Sequence, residues 1–466
     1  METPMMSDPR DWAERQWGAC ELGDRRRPRR AVIIGESLAR CASSEAGVRD
    51  DLAAHRALYR RLDRNEVSVA ASTEPQRLMA CTAAAQVADG VLFVQDQTDL
   101  DFTAHPATRG LGPIASPNRK GVSLGRGFVA QTCLALEATG GRRLGLADRQ
   151  LAVRPPESRR HRGETEFQRG GRHDEADVWL ETLTHLGQPP AAATWISVGD
   201  RDSEVFRDIR QARDPGWHGL ARLCHDRLVK DPHGIDTLPE PLLARLRGLS
   251  AMAGAAPDPL DGAPWRPRLT LSLAWTHGHR LAPPHGPWRK AEPVECWLLR
   301  AWDAAAGGEW LLLSTLPVPD AGEAMRTVQW YTGRWRVEEF HTALKTGGRY
   351  ESARRREADR LSALLGFSAL VAGRLLMLRD DARTAPDAPA VSVVSPLAVA
   401  LVARRRDLPE EGMTTRIFWQ AVAGIGGFLG RKGDGEPGWL TLWRGWRQVS
   451  EGCWAAECAT PLQKCG

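Results

Sequence analysis

Three scarcities in this 466-residue sequence narrow what it can be. The first is apolar length. The longest hydrophobic run, LSALLGFSALVAG at 361–373, is followed at once by Arg374. A bilayer span needs about 20 such residues, so the run reads as a buried helix and no membrane partner is expected. The second is paired cysteine. The nine cysteines (Cys20, Cys41, Cys81, Cys133, Cys224, Cys296, Cys453, Cys458 and Cys465) include no CxxC pair, and their number is odd. With no secretory signal in view, disulfides and a zinc site are disfavoured, and a reducing cytoplasm fits. The third is lysine, six of 63 basic residues. A GC-rich genome is the ordinary cause of such a skew. The functional cause is recognition of phosphates and bases by bidentate guanidinium groups.

What is present suits a globular chain. Hydrophobic residues make up 42% and charged residues 26%, the balance of a soluble protein. The net charge of +5 and pI of about 8.8 are compatible with a nucleic-acid partner without requiring one. At roughly 100–200 residues per domain, the length suggests two to four domains. Residues 1–70 read as helical and arginine-rich. Arg25, Arg26, Arg27, Arg29 and Arg30 form one tight cluster, either a solvated face or a helix that contacts phosphates. Short apolar runs then read as strands: VLFVQD (91–96), GFVAQTCLALEA (127–138), LGLADRQLAV (144–153) and TWISVGD (194–200). The polar stretch 154–175 reads as a loop. A second strand set follows in LTLSLAW, VECWLLRAW and EWLLLSTLPV. Long helices begin near Ala321 and Ala358, and the end is helical and rich in tryptophan. This alternation implies a mixed α/β core with a β-rich insertion at about 223–318.

Two aspartates close apolar strands: Asp96 after VLFVQ and Asp200 after TWISVG. Either alone is commonly a turn or cap residue. The helix expected at 321–346 adds more. On it, Tyr331, Arg334, Glu338 and Lys345 fall at about 0°, 300°, 340° and 320°, one sector of about 60°. Val337, Phe340 and Leu344 form a separate apolar stripe, and Glu339 faces elsewhere. A salt-bridged surface helix accounts for Arg334 and Glu338 but not for Tyr331 and Lys345 on the same line. Three hard oxygen ligands suit two Mg²⁺ ions in phosphoryl transfer, with cations alongside to grip flanking phosphates.

The pattern Y-x2-R-x3-E-x6-K in YTGRWRVEEFHTALKTG resembles the YREK signature of bacterial DDE insertion-sequence transposases, the IS-four family and its transposon-five type. WGACELGDRRR resembles that family's N-terminal opening, and ALYRRLDRNEVS its next segment. VLFVQDQT and SVGDRDSEVF resemble the strands bearing its first and second aspartates. EWLLLSTLPV resembles the strand before its catalytic helix, and GIGGFLGRKGDGEPGWLTLWRGWRQV its C-terminal end. The similarity runs over nearly the whole chain.

The resemblance implies an α/β fold: an RNase H-like catalytic core (71–378) with the β-rich insertion, flanked by a helical end-recognition domain (1–70) and a helical dimerisation region (379–466). It implies Asp96, Asp200 and Glu338 as the triad binding Mg²⁺, with Mn²⁺ as a substitute. Tyr331, Arg334 and Lys345 would contact DNA near the cleaved end, and Arg222 beside the second aspartate's strand. Trp310 would line a pocket for a flipped base, although it also reads as a buried strand residue. Arg25, Arg26 and Arg27 would help recognise the element's ends. The implied partners are double-stranded DNA, as transposon ends and target, and a second copy of the chain. Trp439, Trp443 and Trp446 form one helical stripe, either core or a self-complementary interface. Two other readings stay open: a catalytically inactive or domesticated transposase-derived DNA-binding protein, and a plain metal-dependent nuclease.

Overall fold

A computed structural model describes residues 9–40, 68–114, 125–154, 177–200, 206–230 (except 214, 225 and 227), 240–255, 271–280, 290–303, 308–347 and 350–459 (except 433). The loop expected at 154–175 and the ALYRRLDRNEVS segment lie almost wholly outside the described residues. Among those described, one mixed sheet forms from β1 (Val91–Asp101), β2 (Gly112–Ile114), β3 (Gly125–Glu137), β4 (Arg143–Ala152), β5 (Trp195–Gly199), β6 (His218–Arg222), β7 (Leu228–Lys230), β8 (Glu240–Pro241), β9 (Ala253–Ala255), β10 (Leu271–Arg280), β11 (Val294–Trp302) and β12 (Glu309–Ser314). Five strands run in the order β4–β3–β1–β5–β6. β1, β5 and β6 are parallel neighbours, and β3 runs antiparallel to both β1 and β4. β12 pairs antiparallel with β6, and β11, β10, β7 and β8 carry the sheet outward. The β-rich stretch after β6 therefore extends the central sheet rather than closing one of its own.

The helices are α1 (Pro9–Trp17), α2 (Arg26–Arg40), α3 (Val69–Ala84), α4 (Asp177–Leu186), α5 (Phe206–Arg213), α6 (Leu242–Gly248), α7 (Ala321–Thr332), α8 (Trp335–Thr342), α9 (Ala358–Thr384), α10 (Pro396–Arg406), α11 (Thr415–Ile425) and α12 (Trp439–Ala459). They explain why VLFV is apolar without alternation: strands flank β1 on both sides, and helices cover both faces. Leu92 and Val94 join a large core with Val337 and Phe340 of α8 and with α9. Val91 and Phe93 join a smaller core with Trp195, Trp217, Ala80 of α3 and Leu183 of α4. Because strand side chains alternate, even-numbered residues of β1 face α8 and odd-numbered ones face away.

The apolar run at 361–373 lies in α9. Its window Ala358–Met377 is long and apolar enough to cross a membrane, but 72% of it is buried inside the protein. It is a core helix. The N-terminal helices pack on it: Trp17 stacks on Phe367 at 5.0 Å, and the Arg374 guanidinium lies 5.2 Å from the Trp12 ring. Gly35 permits this approach, since a Cβ there would stand 1.9 Å from the Trp17 ring. At the other end, α11 and α12 cross so closely that a Cβ on Gly445 would lie 1.8 Å from the Val422 carbonyl oxygen. Trp443 and Trp446 are each 6% exposed. Trp446 packs on Trp419 at 5.3 Å, and Trp439 and Trp443 close on Gly347. Most of the tryptophan stripe is thus core within one chain. The glycines bring α11 and α12 of the same chain together, which leaves those two rings no partner face to occupy.

Candidate active site

Asp96 does not end its strand as the VLFVQD run suggests. β3 keeps pairing with β1 as far as Asp101↔Gly127, so Asp96 sits within it. On its other side β1 loses its neighbour, because the last pair with β5 is Val94↔Val198. Extending that parallel register by two residues sets Asp96 level with Asp200, which directly follows β5. Neighbouring strands lie about 4.8 Å apart. Leu92, Val94, Ile196 and Val198 share the large core, so alternation aims both aspartates toward α8.

The helix expected at 321–346 arrives in three pieces. The N–H groups of Gly333 and Arg334 bond back three residues to Trp330 and Tyr331 (3.0 and 3.1 Å), and 343–347 form a π turn. The first overwinds the helix and the second underwinds it, so the two deviations offset each other. Arg334 Nη1 lies 3.5 Å from Asp96 Oδ2 and 3.3 Å from Glu338 Oε1. The ligand atoms of Asp96, Glu338 and His341 lie within 4.8 Å of one another. Trp310 on β12 meets Tyr331 edge-on at 5.4 Å. Arg222, the last residue of β6, and Asp200 both lie near enough to act on the Tyr331 phenol, and Lys345 acts on His341. The structure therefore gathers Asp96, Asp200, Glu338, Tyr331, Arg334, Arg222, Trp310 and Lys345 at one place. Arg25, Arg26 and Arg27 stand apart at the start of α2. Arg25 and Arg26 are exposed, as are Arg29 and Arg30. Arg27 turns back, and its Nη1 donates to the Leu22 carbonyl at 2.6 Å. It secures the start of the helix rather than facing outward like its neighbours.

Charge balance at this place is poor. Burial first, and the negative charge of Glu338 next, push Asp96 up to about 8, against the pull of Arg334. Tyr331 is raised by burial, opposed by Arg334 and Arg222. Glu339, one residue from Glu338, is in the opposite situation. It bonds Arg143 and Arg379 at 2.7 and 2.8 Å, in a buried group that includes Arg336 and Asp380. Burial works against its charge, yet Arg379 and Arg143 outweigh it and hold the carboxyl well below the usual range.

Two family models match the chain. One, described as transposase DNA-binding, covers residues 9–67, and the other, the transposase Tn5 dimerisation domain, covers 370–462. These two matches liken the N-terminal and C-terminal parts of the chain to transposase domains, the second of the Tn5 type. Among solved structures, a piggyBac transposase synaptic complex with hairpin DNA aligns over 93% of this chain and 73% of its own, at 9% identity and a TM-score of 0.35. A likeness that low carries no argument about this chain. The matched DNA-binding segment contains α1 and α2 with the exposed arginines, and the matched dimerisation segment contains the end of α9 and α10 to α12.

Four residues at the site escape the reading of the sequence. Trp335 is 44% exposed beside Arg334, whose guanidinium lies 5.3 Å from its ring. His341, Thr132 and Arg149 form a buried chain behind Asp96. One signal was available: His341 follows Glu338 by three residues, a spacing that puts both on one helix face. Thr132 and Arg149 carry no local signal.

Proposed function

We propose that this chain is a DNA transposase that cuts and joins DNA by divalent-metal-dependent phosphoryl transfer, with Asp96, Asp200 and Glu338 as the metal ligands. One observation carries the reading: the β1–β5 register levels Asp96 with Asp200 on the face where α8 presents Glu338, and Arg334 bridges Asp96 and Glu338. The order β4–β3–β1–β5–β6, with β3 alone antiparallel, supports an RNase H-like core. The donors fit the cation. Carboxylate oxygens suit Mg²⁺, with Mn²⁺ as a substitute. An aspartate pushed up to about 8 by burial and then by a neighbouring carboxylate is a group that a cation would relieve. When bound, such ions supply Lewis-acid stabilisation of the attacking and leaving oxygens.

The chain's own groups do the rest. Arg334 orients two of the acids, and Arg222 and Lys345 offer cations to flanking phosphates. Trp310, partly buried and set edge-on against the buried Tyr331, offers a ring against which a displaced base can stack. Arg25, Arg26, Arg29 and Arg30 engage phosphates at the element's ends. The C-terminal helices pair two copies, so that two ends are cut in one complex. End hairpins and transfer of 3′ ends to target DNA belong to this reading through the family resemblance. Asp96→Ala, Asp200→Ala and Glu338→Ala should each abolish Mg²⁺-dependent nicking of end DNA while gel-shift binding persists. Nicking at the wild-type rate by Glu338→Ala, with loss in Glu339→Ala, would overturn the choice of glutamate.

A further inference from the structure

The antiparallel register pairs Thr132 of β3 with Asp96, so both side chains lie on the face covered by α8. Thr132 is also paired with Arg149 of β4. All three neighbours of this hydroxyl are buried: Asp96 is 7% exposed, Arg149 1% and His341 4%. Arg149 Nη1 donates to Thr132 Oγ1, and His341 Nε2 lies 3.0 Å from the same oxygen.

The donor inventory decides the direction of this chain. A guanidinium only donates, so Thr132 accepts from Arg149. The hydroxyl then has its own proton to place, and among the described residues His341 Nε2 is the partner for it. Nε2 accepts. The ring's single proton is therefore on Nδ1, which faces Asp96 Oδ2 at 3.9 Å. Arg334 Nη1 faces the same oxygen at 3.5 Å. Two donors on one oxygen fix the rotation of the carboxylate. At these lengths the contacts are electrostatic, and such contacts commonly tighten when ligands arrive.

We propose that Arg149, Thr132 and His341 form a positioning chain that sets the orientation of Asp96 for metal binding, with His341 acting through Asp96 and not as a ligand. This rests on the proposed metal-binding role of Asp96. Groups that orient a metal ligand typically matter to metal affinity by about 10–100-fold. Side-chain amides separate the two imidazole nitrogens: the Asn nitrogen falls near the place of Nδ1, and the Gln nitrogen near that of Nε2.

The test is Mn²⁺ titration of the full, DNA-free chain, with free Mn²⁺ read by electron paramagnetic resonance and folding checked by circular dichroism. His341→Gln and Thr132→Val should weaken Mn²⁺ by about tenfold or more, His341→Asn should weaken it clearly less than His341→Gln because it keeps the donor toward Asp96, and Thr132→Ser should stay close to wild type. Wild-type affinity in His341→Gln and Thr132→Val overturns the proposal. Equal losses in His341→Asn and His341→Gln indicate packing and also overturn it. Nitrogen hyperfine coupling that vanishes in His341→Gln would make His341 a ligand and overturn it too. Failure of the wild type to bind Mn²⁺ is a separate result: it removes the metal reading itself, and this inference with it.

Discussion

Helix α8 divides two groups of charges built from the same residue types. On one side, Arg143, Arg336, Glu339, Arg379 and Asp380 lock α8 to β4 and α9, with contacts of 2.7, 2.8 and 3.3 Å among them. Each carboxylate there has at least two arginines in reach. On the other side, Asp96, Asp200 and Glu338 converge, and Arg334 is the cation in contact with Asp96 and Glu338. The acids of the first group are held in their charged form, and Asp96 in the second is pushed away from it. Compensated buried charge makes structure. Under-compensated charge, held in place by a rigid sheet, makes a site for something positive.

The largest effect expected from breaking this contrast is on the closed side. Asp380→Ala leaves buried arginines without their partner and should lower stability by about 3–5 kcal/mol. Glu338→Gln, on the open side, should change stability by less than about 1 kcal/mol. Urea denaturation of the two variants checks both. Equal losses would mean that the two groups do not differ in kind.

Trp443→Ala should cost about 3–5 kcal/mol, because its ring fills the core beside Gly347. Since that contact is within one chain, the loss should not vary with protein concentration. A loss that disappears on dilution would return the tryptophan stripe to an interface between copies.

The open side can be sharpened with pH and metal. Burial and Glu338 raise Asp96 above its unfolded value. Its favourable contribution is therefore complete below the ordinary carboxylate range and is lost as pH rises through about 8. The melting temperature of the metal-free protein should fall across that window. Mg²⁺ at about 100 times its Kd should restore about 2.7 kcal/mol. Asp96→Asn should show neither the fall nor the restoration in thermal scans between pH 5 and 8.5.

The smallest effect concerns α2, which buries Ala31, Val32, Ile34 and Leu38 in the core and so cannot be removed cleanly. Single substitutions are the better probe. Arg26→Ala or Arg29→Ala should each reduce the slope of log affinity against log salt by about 0.9 if the residue meets a phosphate. Arg27→Ala should leave the slope unchanged and shift stability instead, since its guanidinium holds the Leu22 carbonyl.

Much of this was legible along the chain. The apolar runs at 91–96, 127–138, 144–153 and 194–200 became β1, β3, β4 and β5, because four or five consecutive apolar residues need cover on both faces. The spacing of Tyr331, Arg334 and Glu338 survived a helix in three pieces, because helical neighbours are local. Glu339 faced away for the same reason. The strand-tip position of Asp96 did not survive, because how far a strand extends depends on its partner: β3 continues past Asp96 where β5 stops.

The sequence by itself determined the elements and the kinds of residue they carry, since propensity and periodicity act over a few residues. Only the tertiary structure decided which residues share a place. The level of Asp96 with Asp200 depends on a register between strands about a hundred residues apart. The bond between Thr132 and His341 spans 209 residues, and that between Arg143 and Glu339 spans 196. Register and burial arise from pairings between distant segments, and no local preference encodes which segments will meet.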